Sequence, residues 1–475
     1  MSFWNRRKAI DAKGTDHGGT PLARTLSWPH LVALGVGAIV GTGILTLIGV
    51  GADRAGPAVL ISFALAGLVC ICAALAYAEL ATLMPASGGA YTYSYSVLGE
   101  GIAWVVGWSL ILEYSLVVSA VAVGWSGYFV GFWNGLEGSL FESLRIGPAL
   151  AGGPHVEGGL INLPAMLIIA VVAGLLMLGT RESATLNAVL VLIKIAALAA
   201  FVALAFPAFD AANFTPFMPY GFGAPFVQQG VMAAAAIIFF AFYGFDAIAT
   251  AAEETKRPER DLAIGIVGSM LICTALYLLV AAAAIGARPF TSFAESPEPL
   301  ALILRDLGQG VAAQWIAAAA VIALPTVLLA FLFGQSRIFL VMARDGLLPQ
   351  SLSRVSGRGV PVVVTLFTAA VTAALAGFFS LDELASLANA GTLAAFTAVG
   401  VCLMVLRRRE PALPRRFRAP AYMLVGVVCV LGCITFFFSL RPTTQLYFLI
   451  WNLGGLAVYA LYGARRSRLA TARSA

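Results

Sequence analysis

Residues 35–44 read Gly35-Val36-Gly37-Ala38-Ile39-Val40-Gly41-Thr42-Gly43-Ile44, four glycines among ten nearly all apolar positions. They lie inside an apolar run, residues 31–51. At ~1.5 Å rise per residue such a run crosses a ~30 Å hydrocarbon core. A single pair of glycines four apart would be read as close helix packing. Gly41-Thr42-Gly43 is too dense for that alone, and it points to a helix interrupted at membrane depth. A second weak point follows in the sixth apolar run, where Phe239-Phe240-Ala241-Phe242-Tyr243-Gly244-Phe245-Asp246 brings a glycine and a carboxylate to the equivalent depth. Interruptions at corresponding places in two halves mark a transporter's binding site. Each break frees N–H groups on one half-helix and C=O groups on the other, and in a bilayer those groups need a partner. Freed donors suit an anion and freed acceptors a cation. An α-amino acid carries both charges on neighbouring atoms.

Composition sets the class. The chain has 475 residues, 60% hydrophobic and 11% charged, with a mean hydropathy of +0.92. Soluble globular chains are about a quarter charged, so this pattern describes an all-α polytopic membrane protein. Twelve spans are expected: 31–51, 57–83, 99–133, 161–179, 184–206, 228–252, 262–286, 310–342, 361–379, 384–406, 421–440 and 444–463. The third and eighth are long enough to tilt or to project beyond the bilayer. No cleavable signal peptide is expected, because a polar basic tail precedes the first run and more spans follow it. With the N-terminus inside, the inner segments collect the tail, Arg181, Lys256 to Arg260, Arg337 to Arg358, Arg407 to Arg418 and the C-terminal arginines. The outer segments hold Arg54, Arg145, Arg288, Arg305 and Arg441. That asymmetry places both termini in the cytoplasm. It also explains the pI of 9.1 without nucleic acid as a partner. The longest loop, Asn134 to Gly159, is Gly-rich and external.

Other classes fit poorly. The six cysteines (Cys70, Cys72, Cys273, Cys402, Cys429, Cys433) fall within apolar runs and read as small packing residues. His17, His30 and His155 lie in the tail, at a span end and in an outer loop. Neither a metal site nor a nucleophile–base pair emerges from these, no cofactor is implied, and an intramembrane enzyme is disfavoured. No pore-lining polar stripe suggests a channel. One intramembrane charge stands out. Lys194 lies about ten residues from each end of the run 184–206, ~15 Å from either interface at the helical rise. Its stem cannot snorkel that far, and an ammonium at that depth costs at least ~2.5–3.5 kcal/mol. The protein interior must compensate it, which suggests proton or ion handling.

The residues resemble the amino acid–polyamine–organocation superfamily, and within it the bacterial relatives of the cationic amino acid transporters. The stretches that carry the likeness are residues 35–44, Ala55-Gly56-Pro57-Ala58, Tyr77-Ala78-Glu79-Leu80 and residues 85–93, from Pro85 through Gly88-Gly89-Ala90-Tyr91 to Tyr93. Further on come Phe245-Asp246, residues 252–261, Gly334-Gln335-Ser336-Arg337 and residues 343–349. The resemblance implies a five-plus-five inverted repeat of the leucine-transporter type with two added C-terminal helices. The chain then divides into a cytoplasmic tail (1–30), a first repeat (31–206), a second repeat (228–406), two further spans (421–463) and a cytoplasmic tail (464–475).

The resemblance also implies roles. Thr42 and Gly43 amides would bind a substrate carboxylate, with Gly41 allowing close approach, and the carbonyls of Ile39, Phe240 and Tyr243 would meet the amino group. Phe240 would close over the substrate; its plainer reading, with Tyr243, is helix packing. Leu324, beside Pro325, would form a pocket wall. Lys194 matches a fifth-span lysine of proton-coupled members and would tie first-span carbonyls to the eighth span, where Thr326 is the candidate hydroxyl. Alternate protonation would then bias two access states. A lysine paired permanently with a carboxylate is the alternative. Glu113 would relay protons toward Lys194 or anchor water near the substrate, and Asp246 would steady the sixth-span break. Each is equally readable as a buried structural acid. Glu253, Glu254, Lys256, Arg257 and Asp261 are expected to form a cytoplasmic salt-bridge cluster, with Arg337 and Asp345 acting alike. The first cytoplasmic loop, Pro85 to Tyr91 with Ser87 in it, would be a gating element. An apolar wall leaves a guanidinium's donors unmet, so a small neutral L-amino acid such as alanine is the expected substrate. The expected reaction is import by proton symport across a bacterial inner membrane. An exchanger, a cationic amino acid transporter and a transporter-like sensor are the alternatives. The partners implied are the amino acid, the proton and the lipid bilayer; nothing in the sequence sets an oligomeric state.

Overall fold

The computed structural model describes residues 6–9, 26–85, 88–136, 143–178, 184–223, 228–250, 255–353 and 361–471. Among these the chain is helical, apart from an isolated parallel bridge between Leu26 and Thr255. Seven helices among the described residues are long and apolar enough to cross a membrane, and five shorter apolar helices accompany them.

The opening helix α1 (Trp28–Ile39) begins with a proline in its first turn, where a missing N–H costs nothing, and stops at Val40 in extended conformation. After extended Gly41 a single turn, α2 (Thr42–Leu45), leads through Thr46 to α3 (Leu47–Ala55). Gly56 turns the chain at φ +61° into α4 (Val59–Leu83). There follow α5 (Gly89–Val97), α6 (Glu100–Asn134), α7 (Leu163–Met177) and α8 (Ala184–Ala205). The second half opens with α9 (Val231–Ile238), tightens into a 3-10 turn over Phe239–Phe242, and resumes as α10 (Phe245–Thr250). Then come α11 (Pro258–Ala287), α12 (Gly310–Ala323) and α13 (Pro325–Arg344). The last two divide what the sequence reads as one long run, and Pro325 is the cause, since it cannot donate into the preceding turn. The chain ends with α14 (Val362–Phe378), α15 (Leu381–Arg409), α16 (Tyr422–Phe438) and α17 (Pro442–Val458).

Two sets of contacts dominate the packing. Helix α11 lies against α1 and α4, while α6 lies against α13 and α15. Ion pairs gather at the two ends of α15. At its start Asp382 takes Arg54 from the end of α3 and Arg441 from the start of α17. At its finish Arg407 reaches Glu79 of α4 at 2.7 Å, joined by Arg415 at 3.1 Å. The described parts of the two tails also meet the rest of the chain. Arg6 Nη1 donates to the Ala464 carbonyl at 3.0 Å, and Lys8 pairs with Asp345 at 3.1 Å.

Part of the expected loop cluster lies outside the described residues. Glu253 and Glu254 lie outside the described residues, as do Arg181, Arg358 and Ser87. In the described part of that stretch Glu259 pairs with Arg416. Arg337 lies over the Phe333 ring at 4.0 Å, and Asp345 accepts from Lys8 and from Tyr91 of α5.

Candidate substrate site

The two interruptions face each other. A Cβ added to Gly43 would fall 2.2 Å from Ala241 Cα, so the α2 turn lies directly on the 3-10 turn of the other break. The approach is reciprocal. Gly244, at φ +108°, would place a Cβ 2.7 Å from Ala38 Cβ and 2.8 Å from the Ala38 carbonyl carbon. Neither position admits a larger residue, and Gly244 also holds a backbone conformation that favours glycine. Gly41 is different: its added Cβ would meet Val327 at 3.5 Å and Leu324 at 3.9 Å, ordinary contact distances. Close approach between the two breaks therefore falls to Gly43, while Gly41 borders Leu324, itself fully buried.

At the first break the opening N–H groups of α2 belong to those a helix leaves without an intrahelical acceptor. The Thr42 hydroxyl is buried with no hydrogen-bond partner among the described residues. Helix α6 passes over it so closely that a Cβ on Gly124 would lie 2.1 Å from Thr42 Cγ2. On the other side of the break, the Ile39 carbonyl accepts from Tyr277 Oη of α11 at 2.8 Å. A carbonyl has two acceptor sites, so this bond orients Ile39 without exhausting it.

At the second break Phe240 and Tyr243 are 4% and 3% exposed, with ring centroids 5.1 Å apart. Tyr243 leaves the helical region (φ −67°, ψ 154°), which turns its carbonyl out of the ladder. Its hydroxyl donates to Asn389 Oδ1 of α15. Asp246, in the first turn of α10, accepts from Tyr114 Oη at 3.1 Å. An acid there also suits the positive end of that helix.

Lys194 is 4% exposed on α8. Its Nζ donates to the Gly37 carbonyl of α1 at 2.8 Å and to Thr326 Oγ1 of α13 at 3.2 Å. Thr326 in turn donates to the Ala323 carbonyl at 2.7 Å, which leaves its lone pairs facing the ammonium. The lysine thus joins three helices one turn before the first break. Glu113 reaches the region from another side. It is 2% exposed on α6, beside Thr392 and Tyr243, and its Oε2 has no hydrogen-bond partner among the described residues.

Two residues that close the site were not singled out from sequence, Tyr277 and Asn389. Each is a polar side chain within an apolar run, which is the signal that could have found them.

A family model described as amino acid permease matches residues 26–460. The chain belongs to the amino acid permease family, and through it to the amino acid–polyamine–organocation superfamily. The permease is a transporter and not an enzyme. It is 44% identical over 466 residues to the branched-chain amino acid permease BcaP of Bacillus subtilis (strain 168), covering 98% of each chain. It is 40% identical over 472 residues to the methylthioribose transporter of the same organism, covering 99% of this permease and 100% of that protein. To the vacuolar cationic amino acid transporter 4 of Arabidopsis thaliana it is 38% identical over 417 residues, 86% of this chain and 68% of the relative.

Proposed function

We propose that this permease imports neutral L-amino acids, from alanine to the branched aliphatic ones, by proton symport with alternating access. The observation that carries the reading is the contact of the two breaks, Gly43 against Ala241. It sets the free N–H end of α2 beside the 3-10 turn, after which the Tyr243 carbonyl turns out of the ladder. In this reading Thr42 and Gly43 amides take the carboxylate, carbonyls of Ile39, Phe240 and Tyr243 take the ammonium, and Phe240 closes over the ligand. Buried Leu324 beside Gly41 favours an apolar side chain, and the name of the BcaP relative points the same way. Lys194 acts as the coupling group. Charged, it ties α1 to α13 through the Gly37 carbonyl and Thr326; neutral, it releases them, so proton binding biases the two access states. Glu113 and Asp246 support proton movement and the second break. The protein sits in the bacterial cell membrane with both tails inside. Two five-helix repeats, 31–206 and 228–406, enclose the site, and α16 and α17 stand outside them.

The test is uptake by proteoliposomes under an inward proton gradient, with labelled alanine, leucine, arginine and methylthioribose. Gradient-dependent accumulation of alanine or leucine, weakly inhibited by arginine, is expected. Stronger competition by arginine would move the permease to the cationic class, and accumulation of methylthioribose alone would replace the amino acid reading. Counterflow without any response to the gradient would make it an exchanger.

A further inference from the structure

We propose that Asn389 of α15 is a positioning residue for substrate selection, setting the opening of the sixth-span break. The inference rests on the reading of the facing breaks as the amino acid site. Asn389 is fully buried. Its Nδ2 donates to the carbonyls of Ala236 and Ile237 at 2.7 and 3.1 Å, while its Oδ1 accepts from Tyr243 Oη. One side chain therefore grips the break on both sides of the Phe239–Phe242 turn. The arrangement has a single sense: two carbonyls accept only from the NH2, so the amide oxygen must face the tyrosine hydroxyl.

This bridging has a consequence at the ligand. Carbonyls 236 and 237 belong to the last turn before the break, where tightening from α to 3-10 changes which N–H each can take. Donors from Asn389 satisfy them and remove the incentive for the turn to relax into a continuous helix. The same amide fixes the Tyr243 hydroxyl, and with it the ring that lies tilted beside Phe240, centroids 5.1 Å apart. The spacing of the Phe240 and Tyr243 carbonyls and the width between their rings thus follow from one residue on another helix. An aspartate would keep the acceptor for Tyr243 and set a carboxylate against two carbonyl oxygens. An alanine would remove all three of these hydrogen bonds.

The experiment measures KM and Vmax for alanine and leucine in proteoliposomes. It uses wild type, Asn389→Ala, Asn389→Asp, Tyr243→Phe and the double variant Asn389→Ala/Tyr243→Phe, each first shown to be monodisperse and to melt cooperatively. A positioning role predicts a KM raised about tenfold in Asn389→Ala with Vmax changed less than about twofold, the pattern of lost binding contacts. The ratio of leucine to alanine KM should shift as well. The double variant should be no worse than Asn389→Ala, because the tyrosine's partner is already gone. If Asn389→Ala does not fold, Asn389→Leu, close in shape and without a hydrogen-bonding group, takes its place in the cycle. An unchanged KM in a folded variant, a fall in Vmax alone, or penalties that simply multiply in the double variant would overturn the proposal. Wild-type vesicles that accumulate neither amino acid would overturn the site reading and this inference together. An active wild type with an insensitive Asn389 variant would overturn this inference alone.

Discussion

At the scale of single residues, glycines 41 and 43 separate two roles that their adjacency merges in sequence. Gly43→Ala drives a methyl to 2.2 Å from Ala241 Cα, against backbone that cannot step aside. Overpacking of this kind costs ~1–3 kcal/mol or more, so a lowered melting temperature in detergent and loss of uptake are expected together. Gly41→Ala meets side chains at 3.5 Å or beyond. Its melting temperature should stay near wild type, and its effect should fall on substrate KM. Equal melting losses in both variants would dissolve the distinction. Lys194→Ala removes both ties between α1 and α13. Gradient-driven accumulation should vanish while counterflow persists, whereas undiminished accumulation would free the lysine from coupling.

At the scale of elements, α15 is the member that connects the ends. Its start holds Arg54 and Arg441 through Asp382, its middle pins the second break through Asn389, and its finish carries Arg407 to Glu79. The Glu79 site is buried, with side-chain exposures of 15% for Arg407 and 1% for Arg415 and Glu79. Removing one partner of such a pair strands the others and costs ~3–5 kcal/mol. Glu79→Ala should therefore sharply lower thermal stability. The Glu259–Arg416 pair is 37% and 71% exposed, and pairs of that kind contribute ~0–1 kcal/mol. Arg416→Ala should melt with wild type. Matching losses in the two variants, read by scanning fluorimetry, would contradict this ranking.

At the scale of the whole molecule, the proposed site between the two breaks would have its ligand touch both halves of the chain. A ligand that binds the folded protein at a hundred times its Kd adds ~2.7 kcal/mol of stability. Leucine or alanine should therefore raise the melting temperature in detergent, and arginine should do so less. Lys194→Ala should keep this shift even as it loses accumulation, since the lysine bonds helices and is not itself assigned to the ligand. A variant blind to leucine would instead place the lysine in binding.

Apolar run length, sparse charge and clustered glycines are local properties, and a bilayer leaves few structures able to satisfy a backbone within it. The helical class, the interruptions near Gly41 and Gly244, and the oddity of Lys194 were therefore legible along the chain. What met what was legible only where the resemblance tied Lys194 to the first and eighth spans. Its partner Gly37 lies 157 residues away, Tyr277 finds Ile39 across 238, and Tyr243 finds Asn389 across 146. No periodicity or spacing encodes such pairings, because they arise only when α8, α11 and α15 are packed around the breaks. Composition could say that the freed backbone groups need partners; only the tertiary arrangement decided that a lysine, a tyrosine and an asparagine supply them.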